Sequence, residues 1–287
     1  MKPTNGVLVI TSHERHEYDT LPDPGIGYPA NHFAFQHILN VLAEEGANSV
    51  LEVGIGSGNA IPLLAGAGLD VAGLEIDDDM VKASRERMSD LGLDPEAVVW
   101  GDVSDAASYV TLRPRAPFDA LIALGVLPHV HQERASLRNM RALVRPGGVV
   151  FVECRNSLFS LVTFNRFTYE FLMDEVFADT AGSVREGLDA FLRERLAHDM
   201  PPAGEGHRPR FHNPLSVAPL FADAGFVDIA IHPFHYHPAP PSLEKQDPDA
   251  FRQGSLAMEN EPSDWRGLLL CSAFLVQARR PHQFNDL

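Results

Sequence analysis

Short apolar runs alternate with amphipathic segments through the first half of the chain. Apolar runs of four to eight residues predict β-strands, and apolar residues at every third or fourth position predict helices. The predicted strands, with helices between them, are SVLEVG (49–54), DVAGLEI (70–76), AVVWGDV (97–103), FDALIALGVL (118–127) and VVFVEC (149–154). This alternation predicts an α/β fold, a mostly parallel sheet with helices on both faces. Ligands of such sheets bind at the carboxyl ends of the strands.

The pattern changes after residue 154. Residues 156–200 are helix-like and rich in aromatic side chains, and a loop containing Pro, Gly and His follows. A helix is predicted over 215–226, and two strands that could pair antiparallel are predicted over 227–237 and 265–280, with a polar loop between them. We divide the chain into an N-terminal arm and helix (1–45), a ligand-binding core (46–155), a helical lid or insertion (156–213) and the remainder of the core with the last two strands (214–287).

Composition and charge narrow the function classes. Hydrophobic residues make up 45% of the 287 residues, and the formal net charge is −16. A field of that sign repels a phosphate backbone, so we expect no nucleic-acid partner. Cys154 and Cys271 lie in apolar runs and are predicted to be buried thiols of a reducing cytoplasm. The longest apolar run, 268–276, is far short of the ~20 residues that a membrane helix needs, so we expect a cytoplasmic protein without membrane contact.

The stretch VLEVGIGSGNA (50–60) joins a strand to a turn of small residues, with Gly54, Ile55, Gly56 and Gly58 in the turn. Glycines at this point let a ligand approach the backbone closely. A dinucleotide-binding turn, G-x-G-x-x-G, would need glycine where Asn59 stands. Glu52, two residues before the first glycine, would repel a pyrophosphate and attract a cationic ligand. The turn therefore favours a cationic ligand over a dinucleotide.

Two further acidic residues end the next two predicted strands. Glu75 can accept both hydroxyl groups of a ribose. Asp102 can accept a hydrogen bond from the amino group of an adenine, and the apolar residues Ile76 and Val103 would lie beside that base. The spacing predicts an adenosine-containing ligand, which dinucleotide enzymes also bind.

The ordered set of motifs resembles the class I S-adenosylmethionine-dependent methyltransferases. The segments VLEVGIGSGNA, VAGLEID, GDV, FDALIALGVLPHV and LVRPGGVVFVE occur in that family's order over residues 48–154. The resemblance implies a Rossmann-like, seven-stranded, mostly parallel sheet with a helical insertion after the fifth strand. It also implies an enzyme with S-adenosylmethionine as cofactor and S-adenosylhomocysteine as product, and makes 46–155 the cofactor-binding core. Binding roles carry over to Gly54, Gly56, Glu75, Ile76 and Asp102, and the backbone at Leu124 and Gly125 would face the methionine part.

Histidines are the candidates for chemistry. His129 follows the fourth strand and is our candidate general base for a hydroxyl or amine acceptor, with an orienting or packing role as the alternative. His235 and His237 would share one face of an extended strand. Together with His212 and His232 they could contact substrate, act as a second base, hold a metal or serve structure alone. No carboxylate or cysteine stands at ligand spacing nearby, so we assign no metal.

The aromatic residues of the insertion either pack on the core or form a substrate lid. Candidate substrate contacts are Phe164 and Tyr169 of the insertion and Tyr28 of the N-terminal arm, besides the histidines at 212, 235 and 237. The favoured function is O- or N-methylation of a small molecule, for example in natural-product or sugar tailoring. The alternatives are a protein or peptide methyltransferase, a non-catalytic S-adenosylmethionine-binding regulatory or assembly protein, and an oxidoreductase.

Overall fold

The structure is a computed structural model that describes residues 30–196, 209–260 and 264–282. Most of the predicted N-terminal arm, with the candidate Tyr28, lies outside the described residues. The same holds for most of the loop predicted between the lid and the last part of the core. All structural statements below concern the described residues.

The described residues form a seven-stranded sheet with the order β3-β2-β1-β4-β5-β7-β6. The strands are β1 Ser49–Val53, β2 Asp70–Glu75, β3 Val98–Trp100, β4 Phe118–Ala123, β5 Val144–Arg155, β6 Val227–Tyr236 and β7 Cys271–Arg279. The pairs among β1 to β5 are parallel, whereas β7 runs antiparallel to both of its neighbours, β5 and β6. The predicted mostly parallel sheet with an antiparallel seventh strand is confirmed. Because the strand order reverses between β1 and β4, the crevice at their carboxyl ends is the expected ligand site.

Helices connect and cover these strands. They are α1 Ala30–Glu44, α2 Ile61–Gly66, α3 Asp78–Asp90, α4 Glu133–Leu143, α5 Arg166–Phe171, α6 Gly182–Leu196, α7 Ala218–Asp223, α8 Pro248–Glu259 and α9 Gly267–Leu270. Asp77 caps α3, since its carboxylate accepts from the N–H groups of Asp79 and Met80. The acidic run before α3 therefore includes the N-cap of this helix.

The middle strands are the most deeply buried part of the fold. The residues of β4 from Ala120 to Ala123, and those of β5 from Val149 to Val152, are fully buried. Successive residues of a strand point to opposite faces, so burial of consecutive residues means that both faces of the sheet are covered. Cys154 and Cys271 are both buried free thiols, as predicted.

Helix α1 packs on the sheet through a pair of histidines. The rings of His37 in α1 and His232 in β6 lie 3.9 Å apart between centroids. His37 Nε2 is also 2.8 Å from Oε1 of Gln277 in β7. His232 is therefore part of the contact between α1 and the sheet, away from the other histidines with which the sequence grouped it.

Several predicted boundaries differ from the structure, and β3 and β4 are shorter than predicted, ending at Trp100 and Ala123. The polar segment between β6 and β7, predicted to be a loop, contains α8, which Asp247 caps by accepting from the N–H of Ala250. The final strand begins at Cys271, because residues 267–270 form the short helix α9. Strand β5 begins at Val144, five residues before the predicted start at 149, and its register against β4 shifts through an irregular segment there.

The lid segment after β5 is helical, as predicted, but broken into short pieces. A 3-10 turn at Leu158–Val162 precedes α5, and a π-helical turn at Leu172–Val176 follows it. Helices α5 and α6 are joined by Tyr169, whose hydroxyl donates to the carboxylate of Asp189. Arg193 donates to the same carboxylate and to the Tyr169 oxygen. The division into core and lid remains a prediction.

Candidate functional site

A cavity of about 600 Å3 lies at the carboxyl ends of β1, β2 and β4. Its walls come from the ends of these strands and from the loops that follow β3 and β4. Eight of the residues predicted to bind the cofactor or act in catalysis line it: Gly54, Glu75, Ile76, Asp102, Val103, Leu124, Gly125 and His129. The cavity therefore lies at the switch point of the sheet, where α/β proteins bind their ligands.

Gly54 begins the turn after β1 and allows a close approach of two loops. Its φ is +71°, and an added Cβ would lie 2.4 Å from Cγ2 of Val126, which follows β4. Neither the backbone angle nor the space suits a side chain. Gly56, two residues on, has a φ of +55° with open space where a Cβ would stand. The turn therefore leaves its backbone accessible to a ligand.

The other two residues of the predicted turn have structural roles. Ile55 is buried, and its side chain packs so closely on Gly73 of β2 that a Cβ there would lie 2.6 Å from its Cδ1. A Cβ on Gly58 would lie 2.5 Å from Cδ1 of Ile61, at the start of α2. Both residues fit the turn against the core, and their cofactor-binding roles remain predictions.

Glu75, at the end of β2, holds the turn after β1. Its Oε2 accepts from the N–H of Gly56 at 2.8 Å, and its Oε1 accepts from Ile76 at 2.8 Å and Asp77 at 3.0 Å. Each carboxylate oxygen can accept two hydrogen bonds, so capacity for a further donor remains. The sequence predicts a ribose acceptor here, and the structure adds an anchoring role that sequence reasoning missed.

Glu52 is a buried carboxyl group behind the cavity, with 7% of its surface exposed. No donor in the described part of the chain bonds to its Oε2. Burial, together with the negative charge of Glu75, raises the pKa of Glu52 to about 8. A buried carboxyl group with an unsatisfied oxygen is costly unless a donor or a cation completes it. A cationic ligand would do so.

The adenine side of the predicted site comes from β2, β3 and the loop that follows β3. Asp102 Oδ1 accepts from the N–H of Ser104 at 2.7 Å, which fixes the carboxylate at the cavity wall. Val103 is buried, whereas Ile76 is 58% exposed and presents an apolar surface to the cavity. Trp100 Nε1 donates to the Ile76 carbonyl at 2.7 Å and so holds that residue at the wall.

His129 ends a 3-10 turn, Leu127–His129, in the loop after β4. It is exposed and lines the cavity together with the neighbouring residues 130–132. The prediction that this histidine stands at the mouth of the site therefore agrees with its position. Its role as a base remains a prediction.

The other predicted histidines lie in two separate places. His212 Nε2 is 2.7 Å from Oε1 of Glu133, the first residue of α4, and Arg210 Nη1 donates to Oε2 of the same carboxylate at 3.1 Å. The Arg210 backbone N–H donates to the Pro128 carbonyl at 2.8 Å, and that of His212 donates to the Arg155 carbonyl at 2.7 Å. Residues 210–212 therefore fasten the loop that carries His129 to the end of β5.

His235 and His237 stack at the end of β6, three strands away from β4 in the sheet. Their ring centroids are 4.7 Å apart, and His237 also contacts the ring of Phe159 at 4.8 Å. His237 Nε2 is 3.0 Å from the Ser272 hydroxyl. Burial lowers the pKa of each imidazole to about 4, with a smaller contribution from His235 in the case of His237. The pair is separate from His212, and a role in substrate contact remains a prediction.

The two candidate residues of the lid differ in exposure. Phe164 is 57% exposed and has a φ of +51° in the turn before α5. Tyr169 bonds across to α6 and lies away from the cavity lining. Phe167 of α5 contacts Phe211 with ring centroids 5.3 Å apart, so the lid touches the segment that holds the His129 loop.

Sequence reasoning missed Glu153, at the end of β5. Its Oε2 accepts from the N–H of Gly125 at 2.9 Å, directly at the cavity wall. Burial raises the pKa of Glu153. The signal was present, because Glu153 lies near the carboxyl end of an apolar strand, as Glu75 does.

Among the residues that the structure covers, no group of three or more His, Cys, Asp and Glu side chains could hold a metal ion. Within the same ranges, every helix is too short or too polar to cross a membrane.

The residues at this cavity fit S-adenosylmethionine. This cofactor carries a sulfonium and an ammonium group, and carboxyl groups at 52, 75 and 153 lie at or just behind the cavity walls. The open space beside Gly56 fits a ligand that runs over the turn.

Comparison with known proteins agrees with this fit. Residues 51–150 match a family model described as a methyltransferase domain. The chain is 29% identical over 138 residues to glycine N-methyltransferase of Rattus norvegicus, covering 44% of this chain and 46% of that protein. It is 26% identical over 218 residues to a ubiquinone biosynthesis O-methyltransferase of Thiobacillus denitrificans, covering 73% of this chain and 81% of that protein. The chain thus spans less than half the length of the glycine N-methyltransferase that it matches.

Solved structures show the same fold. An S-adenosylmethionine-dependent methyltransferase from Mesorhizobium loti superposes on this chain with a TM-score of 0.51 at 15% identity. The match covers 86% of this chain and 98% of that one. Its Rossmann-like sheet with a reversed last strand corresponds to the strand order described above. The ordered motifs, the cavity and these matches identify residues 51–150 as a methyltransferase domain of the S-adenosylmethionine-dependent type, with S-adenosylmethionine as its cofactor.

Proposed function

We propose that this protein transfers the methyl group of S-adenosylmethionine to an oxygen or nitrogen atom of a small molecule. The observation that carries the proposal is the cavity at the carboxyl ends of β1, β2 and β4. It combines an accessible glycine turn, carboxyl groups at the strand ends and an exposed histidine. Those are the groups that a cationic adenosine cofactor and a proton-bearing acceptor need.

The walls of the cavity suggest how the cofactor is held. Glu75 would accept from the ribose hydroxyls and Asp102 from the adenine amino group, since each carboxylate lines the cavity. Ile76 and Val103 would flank the base with apolar surface. The glycine turn would let the cofactor lie against the backbone.

Methyl transfer is a displacement at carbon, in which the acceptor attacks the methyl group and the sulfur leaves as a neutral thioether. The protein aligns the two partners and removes the acceptor proton when the acceptor is a hydroxyl or ammonium group. His129 is the proposed proton acceptor, because it lines the cavity just beyond Leu124 and Gly125. A neutral imidazole near pH 7 suits this task.

Three observations favour a small acceptor. Residues 210–212 hold the loop that carries His129, and the lid contacts this segment through Phe167 and Phe211. The net charge of −16 opposes nucleic acid. The two relatives cited above are named for an N-methyltransferase of glycine and an O-methyltransferase of ubiquinone biosynthesis, which are small-molecule reactions.

The proposal is tested by measuring S-adenosylhomocysteine formation from S-adenosylmethionine with defined acceptor panels. One panel holds small phenols and hydroxy acids, a second holds primary and secondary amines, and a third holds peptides and a bacterial protein extract. We expect turnover with a member of the first two panels and none with the third. Turnover with peptides or proteins alone would contradict the proposal. Binding of S-adenosylmethionine without turnover in any panel would instead favour a non-catalytic binding protein.

A further inference from the structure

The carboxyl group of Glu153 is the feature near the cavity that neither the family resemblance nor the sequence analysis used. Glu153 follows Val152, which pairs with Ala123 in the register of β4 and β5. It therefore lies beside Leu124, where the chain leaves β4 and enters the cavity wall. On its other side, Glu153 pairs with Leu275 of β7. A charged group that is partly buried among apolar strands calls for a specific reason.

The contact that Glu153 makes is with a backbone group of the cavity wall. Gly125 N–H donates to its Oε2 at 2.9 Å, and Gly125 has a φ of +69° with open space where a Cβ would stand. The carboxylate thus fixes the peptide group that joins Leu124 to Gly125.

Fixing that N–H also fixes the carbonyl of the same peptide group. The Leu124–Gly125 bond is trans, so its C=O and N–H point in opposite directions. With the N–H bonded to Glu153, the Leu124 carbonyl oxygen points away from Glu153 and towards the turn after β1. It would lie 4.0 Å from a Cβ built on Gly54. Leu124, Gly125 and Gly54 all line the cavity.

We propose that Glu153 is a positioning residue that holds the Leu124 carbonyl in place to accept a hydrogen bond from the ammonium group of the bound cofactor. A carbonyl fixed in this direction is an acceptor for a cationic N–H donor, and the negative charge of Glu153 behind the peptide strengthens that acceptor. The positive charge of Arg155 partly offsets the field of Glu153. The inference rests on the cofactor assignment and adds a residue that acts through the backbone.

Three ligands separate this role from general stabilisation. S-adenosylmethionine and S-adenosylhomocysteine both carry the ammonium group, whereas 5′-methylthioadenosine keeps the adenosine and lacks the amino-acid part. Calorimetry of the purified full chain gives the dissociation constant of each. In Glu153→Ala we expect about tenfold weaker binding of the first two ligands and an unchanged constant, within about twofold, for the third. Glu153→Gln keeps an oxygen that accepts from Gly125 but lacks the charge. Its affinity for S-adenosylmethionine and S-adenosylhomocysteine should therefore lie between those of wild type and Glu153→Ala.

Asp119→Asn is the matched control. Asp119 is also a partly buried carboxylate that accepts backbone N–H bonds, from Asn48 and Ser49 at the amino-terminal ends of β4 and β1, opposite the cavity. We expect it to bind all three ligands like wild type, even where its melting temperature falls.

Several results would overturn the inference. Full retention of S-adenosylmethionine affinity in Glu153→Ala is one. Equally weakened binding of 5′-methylthioadenosine, which would indicate a general loosening of the site, is another. Loss for S-adenosylmethionine but not for S-adenosylhomocysteine would mean that the charge acts at the sulfur, contrary to the proposed carbonyl role. Failure of the cofactor assignment itself looks different, because wild type would then bind none of the three.

Discussion

The N–H of Gly56 donates to Oε2 of Glu75 at 2.8 Å, so the acidic end of β2 holds the glycine turn that follows β1. The two residues come from neighbouring parallel strands, and their bond ties two walls of the cavity together. A single carboxylate would therefore both shape the site and contact its ligand.

Glu75→Gln should weaken S-adenosylmethionine binding by at least about tenfold. A glutamine side chain has one acceptor oxygen, so its amide NH2 group would face at least one of the three N–H donors that Glu75 now accepts. Calorimetry measures the affinity, and thermal unfolding measures the accompanying loss of stability. Glu96→Gln, at an exposed position, is the control. Wild-type affinity in Glu75→Gln would count against the ribose role.

Gly54→Ala should lower both stability and cofactor binding. The new Cβ would lie 2.4 Å from Cγ2 of Val126 and would stand on a backbone with a φ of +71°. Strain of this kind typically costs about 1–3 kcal/mol. Gly92 has a φ of +70° and nothing within 4 Å of an added Cβ, so Gly92→Ala is the control that measures the cost of a side chain at positive φ alone. If both variants lose the same stability and both bind the cofactor, the close approach at Gly54 has no consequence.

Glu52→Gln should change how stability depends on pH. The pKa of Glu52 is raised from 4.5 to about 8, so between these values the folded protein holds a proton that the unfolded chain releases. Stability from this group is therefore present at low pH and falls by about 1.4 kcal/mol per pH unit as pH rises through that window. Glutamine does not titrate, so the advantage of Glu52→Gln over wild type should grow from pH 5 to pH 8. Urea unfolding at several pH values measures it, and parallel profiles for the two proteins would contradict the assignment.

Breaking the pair of Glu133 and His212 should destabilise the protein most at neutral pH. Burial opposes the charge of Glu133, but the bonds from His212 and Arg210 outweigh it and lower the pKa of Glu133. A lowered carboxyl pKa gives stability that is present above the unfolded value of about 4.5 and lost as pH falls through the folded value. Glu133→Gln should therefore cost about 1–3 kcal/mol at pH 7 and less near pH 4. A double-mutant cycle with His212→Ala measures the coupling, and additive effects would show that the contact contributes nothing.

His129→Ala should lower turnover by about a hundredfold or more once an acceptor is known. Cofactor affinity should stay near wild type, since the proposed role is proton removal from the acceptor. The His131→Ala variant, two residues further along the same loop, is the control. Full turnover in His129→Ala would remove the base assignment.

The sheet could be predicted because parallel strands are buried on both faces. Residues 120–123 of β4 and 149–152 of β5 are apolar throughout, and their consecutive burial is the physical reason. Helix α8 was interpreted as loop because residues 248–259 are polar and begin with proline. Asp247 followed by Pro248 is nevertheless a helix-start signature, with an N-cap carboxylate and proline in the first turn.

The candidate site was predictable where it depends on position along a strand. Glu75 ends β2 and Asp102 follows the last residue of β3 by two positions, and both line the cavity, so their positions along the chain were enough to place them at the carboxyl ends of the strands. The contacts that hold the site were not predictable, because they join distant parts of the chain. His212 and Glu133 lie 79 residues apart, and no local pattern links them. The sequence groups the histidines at 212, 232 and 235 by residue type alone. In the fold each makes a different contact, with Glu133, His37 and His237 respectively.

The ligand preference of the cavity is the central claim, and calorimetry of the purified chain with S-adenosylmethionine and with NAD(H) tests it most directly. We predict saturable binding of S-adenosylmethionine and S-adenosylhomocysteine at one site per chain, and no binding of NAD+ or NADH under the same conditions. Binding of NAD(H) without binding of S-adenosylmethionine would contradict the account.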